Sequence, residues 1–198
     1  MPRLEPNALN PTTAGVGRHR LGGRPEGVGI RGIPSCPNCH RALEFVMQLD
    51  GTDPAVGLGD AGIATLYVLA CSSCDACLRG AVHYHRSRTG RSLCLTTSPR
   101  AIPSPIATIR VGSCTDVELG AFDEHSFEGP FHQLGGEPVW LDEPRSVRCT
   151  ECGAPMTFLV ALDSDADVGL EFADHGMLYA FLCVDCEEVA TLVQVAPP

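Results

Sequence analysis

The chain is laid out in short apolar runs broken by glycine, aspartate and proline, and the runs come in pairs. ALEFVMQL at residues 42–49 is followed by ATLYVLAC at 64–71, and MTFLVAL at 156–162 by MLYAFLC at 177–183. Each run is short, rich in β-branched or aromatic side chains, and bounded by turn-forming residues, which is the mark of a β-strand. A further alternating run follows each pair, GAVHYH at 80–85 and VATLVQV at 189–195. No stretch carries the periodicity of an amphipathic helix. The pattern predicts a mainly β protein in which each pair of runs forms a hairpin around an acidic, Gly-containing loop.

The two pairs are copies of one another. LGGRP begins at Leu21 and LGGEP at Leu134, an offset of 113. The same offset carries Cys36 to Cys149, Cys39 to Cys152, Phe45 to Phe158, Leu49 to Leu162 and Asp50 to Asp163. Each copy closes on a second Cys-x-x-Cys, Cys71 with Cys74 and Cys183 with Cys186, four residues after Tyr67 and Tyr179 respectively. A spacing held over so many positions is a duplication. It divides the chain into a flexible N-terminal segment (1–20), a first unit (21–97), a connector (98–131) and a second unit (132–198). The connector opens on Pro- and Ser-punctuated sequence and contains one strand-like run, IATIRVGSC at 106–114. The two units are expected to pack in one compact protein.

The cysteine pairs carry the chemistry. A Cys-x-x-Cys turn presents two thiolates on one side of a tight knuckle, and two knuckles at the ends of a hairpin complete a tetrahedron. The spacing predicts two structural zinc ions, one on Cys36, Cys39, Cys71 and Cys74 and one on Cys149, Cys152, Cys183 and Cys186, in ribbon-like units. Gly153 sits where a knuckle favours a left-handed residue, whereas His40 holds that place in the first unit. Two other readings stand beside this one: buried thiols without metal, and a thiol redox protein using its Cys-x-x-Cys pairs. Cys77 extends the Cys71–Cys74 pair to CSSCDAC and could compete as a ligand; it is read as a spare thiol, and Cys94 and Cys114 as small core residues.

Charge and composition narrow the function. The net charge is −10, from 24 acidic residues against 14 basic ones, all of them arginine. Such a field opposes nucleic acid, whose binding rests on neutralising phosphates, and suits a basic protein partner. The apolar runs are too short to cross a bilayer, and the first 20 residues lack the apolar core of a secretory signal. Both features point to a cytoplasmic protein, as do 11 cysteines without a signal, which argue against a disulfide framework.

The remaining polar features read as scaffold. His83 and His85 share one face of a strand and are expected on its solvated side, next to Arg86 and Arg88. Asp163, Asp165, Asp167 and Asp174 fall at calcium-loop spacing, but Val168 stands where that loop needs glycine, so a charged hairpin tip is the expectation. Asp50, Asp53 and Asp60 in the first unit read the same way. No phosphate loop, dinucleotide fingerprint or nucleophile elbow is present. The expected role is therefore non-enzymatic, a zinc-stabilised chaperone- or adaptor-like module. Its function would lie on the acidic loops and the Gly-Gly-x-Pro segments. An acidic immunity or antitoxin-like protein, neutralising a toxin, is the alternative from another class.

The second unit also resembles two related families. Gly135, Gly136, Pro138 and Trp140, then Cys149, Cys152 and Gly153, then Phe158 through Leu162, follow the order seen in the bacterial YwqG-like family. The same order occurs in the programmed cell death protein 2 family. The similarity covers roughly residues 132–190, and residues 21–75 more weakly, since Gly27 stands where the second unit has Trp140. The resemblance implies a β-rich fold without established enzymatic chemistry on the bacterial side. The eukaryotic relatives act as chaperones for a ribosomal small-subunit protein, which would be a basic partner.

Overall fold

The computed structural model describes residues 4–12, 18–27, 32–85, 94–96, 109–123 and 129–197. The linker from residue 98, the first part of the expected strand at 106–114, Arg86, Arg88 and the Cys94 side chain lie outside the described residues. The elements are β1 (Asn7–Thr12), β2 (His19–Leu21), β3 (Glu44–Asp50), β4 (Thr65–Ala70), α1 (Ala76–Arg79), β5 (Val82–His85), β6 (Cys94–Thr96) and β7 (Ile109–Arg110). They continue with β8 (Thr115–Ala121), β9 (His132–Leu134), β10 (Thr157–Asp163), β11 (Glu171–Phe172), β12 (Met177–Cys183) and β13 (Glu188–Gln194). All six apolar runs are strands.

Eleven strands form one sheet in the order β4-β3-β2-β8-β1-β9-β10-β12-β13-β5-β6, and β11 pairs with β7 apart from it. The centre of the sheet is the antiparallel pair β1–β8, with Leu9 opposite Leu119. From there the order runs outward in matched pieces, β2-β3-β4 on one side and β9-β10-β12 on the other. The hairpins β3–β4 and β10–β12 even share a register shift at equivalent places, Phe45/Met47 and Phe158/Val160.

The duplicated units exchange strands. β1 precedes the first unit yet pairs with β9 of the second, while β8 precedes the second yet pairs with β2 of the first. The segment expected to be flexible, 1–20, therefore supplies a strand at the middle of the sheet. Its pairing partners on both sides lie more than a hundred residues away, so local composition gave no sign of it. The Gly-Gly pairs serve this exchange. Gly22 and Gly23 take φ of 64° and 74°, and Gly135 and Gly136 take 68° and 74°. A Cβ on Gly135 would lie 2.5 Å from the Glu5 carbonyl, and one on Gly23 would lie 2.7 Å from Cys114 Cβ. Only glycine fits that conformation and that approach. The leading Leu-Gly of each segment is buried, while Gly23, Arg24 and Glu137 stay exposed.

The units differ after their closing cysteines. β13 runs back beside β12, from Cys183 opposite Glu188 to Met177 opposite Gln194. In the first unit the chain turns through α1, and β5 pairs with β13 instead of β4. The sheet thereby curls until β4 meets β13 and β5. Tyr84 Oη donates to the Tyr67 carbonyl (3.0 Å) and accepts the Leu69 N–H (2.8 Å), and Thr191 Oγ1 donates to the Leu69 carbonyl (2.8 Å). Side-chain hydroxyls thus seal a seam that no backbone ladder closes.

One large apolar cluster fills the interior of this nearly closed sheet, and a second covers the outer face of β10, β12 and β13. Trp140 stacks on Tyr179 there, with ring centroids 4.7 Å apart. β12 and β13 are buried along their whole length, which explains why MLYAFLC is continuously apolar rather than alternating.

Candidate metal centres

Both tetra-cysteine clusters form. In each, the first knuckle precedes a hairpin and the second follows it, so pairing of β3 with β4, and of β10 with β12, brings the four thiols together. The sulfurs of Cys36, Cys39, Cys71 and Cys74 lie within 4.8 Å of one another, as do those of Cys149, Cys152, Cys183 and Cys186. The Cys36–Cys74, Cys39–Cys71 and Cys71–Cys74 separations are 3.8, 3.6 and 3.3 Å, and Cys152–Cys183 is 3.8 Å. A tetrahedron with metal–sulfur bonds of about 2.3 Å spaces its sulfurs about 3.8 Å apart. The donor sets therefore fit a four-thiolate metal ion, and all eight cysteines are free of disulfide bonds.

The leading knuckles are built identically. His40 N–H donates to the Cys36 carbonyl (2.8 Å) and Gly153 N–H to that of Cys149 (3.0 Å). Cys36 N–H returns to Arg41 (2.7 Å) and Cys149 N–H to Ala154 (2.9 Å). His40 adopts the left-handed conformation, φ 59°, that Gly153 adopts at 71°, so histidine in place of glycine does not change the turn.

Surroundings distinguish the clusters. Cys36, Cys71 and Cys74 are buried and Cys39 is partly so, whereas in the second cluster Cys152 is exposed. Burial pushes the Cys71 thiol up and Cys74 and Cys149 up to about 11. The Ala154 N–H holds Cys152 below the usual thiol range. Cys77 is not part of the first cluster. Its buried sulfur accepts the Cys71 N–H at 3.4 Å, behind the ligands, and burial raises its thiol to about 12. Cys114 is exposed rather than in the core.

His83 and Glu188 lie behind the second cluster. The strand face expected to be solvated is the one β5 turns toward β13, so His83 is buried and its Nδ1 lies 2.7 Å from Glu188 Oε1. Glu188 is wholly buried. It accepts the Thr150 N–H (2.9 Å) and the Thr150 hydroxyl (2.6 Å), and Cys149 Sγ lies 3.6 Å away. Burial works to raise its pKa, but the Thr150 donors and His83 outweigh it and hold the carboxyl below its ordinary range. His85 is half-buried, with Nε2 3.4 Å from Glu151 and 3.9 Å from Glu188. A cavity of about 500 Å³ reaches Cys149 and Thr150, and a second of about 550 Å³, beside Trp140 and Phe181, meets it at Arg145, Ser146 and Val147.

A second repeated constellation sits at the opposite ends of the hairpins. His132 Nδ1 accepts the Asp163 N–H (3.2 Å) and Nε2 lies 3.1 Å from Asp165. His19 Nδ1 likewise accepts the Asp50 N–H (3.2 Å), with Nε2 3.5 Å from Asp53. Asp165 is buried, so these aspartates tie loops to strands rather than merely keeping a tip soluble. The signal was present in the sequence: both histidines stand two residues before the Leu-Gly-Gly motif, at the offset of 113.

Fold and clusters together define a class, a nearly closed β-sheet made by duplication with a tetra-cysteine group on each hairpin. No family model and no solved structure matches the chain. It is similar to uncharacterized protein YpfL of Salmonella typhimurium, 28% identical over 170 residues, covering 81% of this chain and 39% of that protein. The chain therefore spans about two fifths of the length of this relative. Among the described residues, no helix is long and apolar enough to cross a membrane.

Proposed function

We propose that each cluster holds one structural zinc ion and that the duplicated scaffold works by binding another protein, not by catalysis. The observation that carries the metal reading is the convergence of four sulfurs at tetrahedral spacing, twice in one chain. Four thiolates select a soft, tetrahedral ion and leave no position open for a reacting water. The raised thiols must lose protons to become ligands, so loading is expected to weaken as the pH falls. The net charge of −10 favours a basic partner, and the similarity to the YwqG-like and programmed cell death protein 2 families supports a chaperone- or adaptor-like role.

Metal content per chain, measured on protein purified without added zinc and followed by chelator challenge, tests this reading. Two zinc ions and unfolding on chelation are expected. A metal-free chain with an intact fold and reversibly oxidised thiols would replace it with the redox reading. For the partner, capture is expected to recover basic proteins that are lost as salt rises. Recovery of neutral or acidic partners alone, indifferent to salt, would remove the charge argument.

A further inference from the structure

We propose that Glu188 is the positioning residue of the second metal centre, holding the Cys149–Cys152 knuckle in ligand geometry through Thr150. The inference rests on the reading of that cluster as a metal site. Thr150 lies between the two ligands of the leading knuckle, and Glu188 follows the closing one by two residues. Glu188 thus joins both knuckles of one centre. Its Oε1 takes the Thr150 N–H, its Oε2 takes the Thr150 hydroxyl, and His83 of β5 fixes the carboxylate from the far side.

A wholly buried carboxylate is costly unless its oxygens are satisfied, and here the donors come from the knuckle itself and from the neighbouring strand. Losing the carboxylate would leave the Thr150 N–H turned toward a buried space without an acceptor. The turn that sets the spacing of Cys149 and Cys152 would then lose its brace. Groups behind a metal ligand act in this way, and removing them weakens metal binding by about 10- to 100-fold.

The first unit supplies an internal control. The residue equivalent to Thr150 is Pro37, which has no N–H to donate, and the residue equivalent to Glu188 is Ala76. Donor and acceptor are both present in one copy and both missing in the other. In the first unit α1 and the Cys77 sulfur occupy the space behind the closing knuckle instead. The carboxylate therefore follows the donor it serves, rather than being a general requirement of the fold.

The test uses the full zinc-loaded chain, challenged with graded chelator, alkylated with iodoacetamide and mapped by peptide, so that each cluster reports separately. Glu188→Ala is expected to expose Cys149, Cys152, Cys183 and Cys186 at about 10- to 100-fold lower chelator, while the other four ligands stay protected as in the wild type. Glu188→Gln keeps an oxygen for the Thr150 N–H and is expected to restore most of the protection. Thr150→Val, which removes only the hydroxyl that donates to Glu188 Oε2 and keeps the N–H, gives a smaller loss confined to the same cluster and keeps the test open if the alanine variant does not fold. Wild-type protection in Glu188→Ala, equal loss at both clusters, no rescue by glutamine, or no loss in Thr150→Val would each overturn the proposal. A wild-type chain that carries no metal fails earlier, at the zinc reading itself.

Discussion

His19 and His132 each accept a backbone N–H with Nδ1 and turn Nε2 toward an aspartate, yet the copies are not equivalent in energy. Asp165 lies 3.1 Å from its histidine, a hydrogen bond, while Asp53 lies 3.5 Å away. Burial lowers the His19 pKa below 6.5, with Asp53 and Asp50 opposing it only in part. The unfolded chain then binds the extra proton first. Stability from this site is complete above about pH 6.5 and is lost as the pH falls through the folded-state value. Imidazole titration followed by NMR should place His19 below the free-histidine range, and the denaturant midpoint should drop between pH 7.5 and 5.5, less so in His19→Gln. A His19 that titrates at or above 6.5 would contradict this. The eight clustered cysteines were legible at this scale because their paired spacing on either side of a hairpin brings the thiols together. The histidines were not singled out, because an imidazole two residues before a Leu-Gly-Gly motif has no meaning until its aspartate is in place.

β12 was readable from the sequence as an apolar run, since a strand buried along its whole length needs no polar face. β1 and β8 were hidden for the opposite reason. NALNPT contains a proline and buries only Leu9, so it has neither the composition nor the alternation of a core strand. It survives at the centre of the sheet because β9 pairs only with Asn7 and Ala8. Pro11 thus needs no N–H on that side. The seam depends on single side chains in a way the ladders do not. Tyr84→Phe removes the hydroxyl that accepts the Leu69 N–H and donates to the Tyr67 carbonyl. It should lower stability by about 1–3 kcal/mol, read from urea denaturation. A variant as stable as the wild type would show that the seam is held by packing alone.

At the scale of the whole molecule, the duplication was legible but the way its halves combine was not. Pairwise spacing reports that two hairpins exist; it says nothing about which hairpin a preceding strand will join. The exchange of β1 and β8 has a consequence in time. A ribosome adds about 5–20 residues per second, and β2 has no inner neighbour until β8, residues 115–121, has emerged. β1 waits longer still, for β9 at His132–Leu134, and β5 waits for β13, the last strand in the described chain. Pairings of such long separation form slowly. The first hairpin can therefore draw its four thiols together as soon as β3 meets β4, but it does so with an open edge on β2 that only a strand emerging some forty residues later covers.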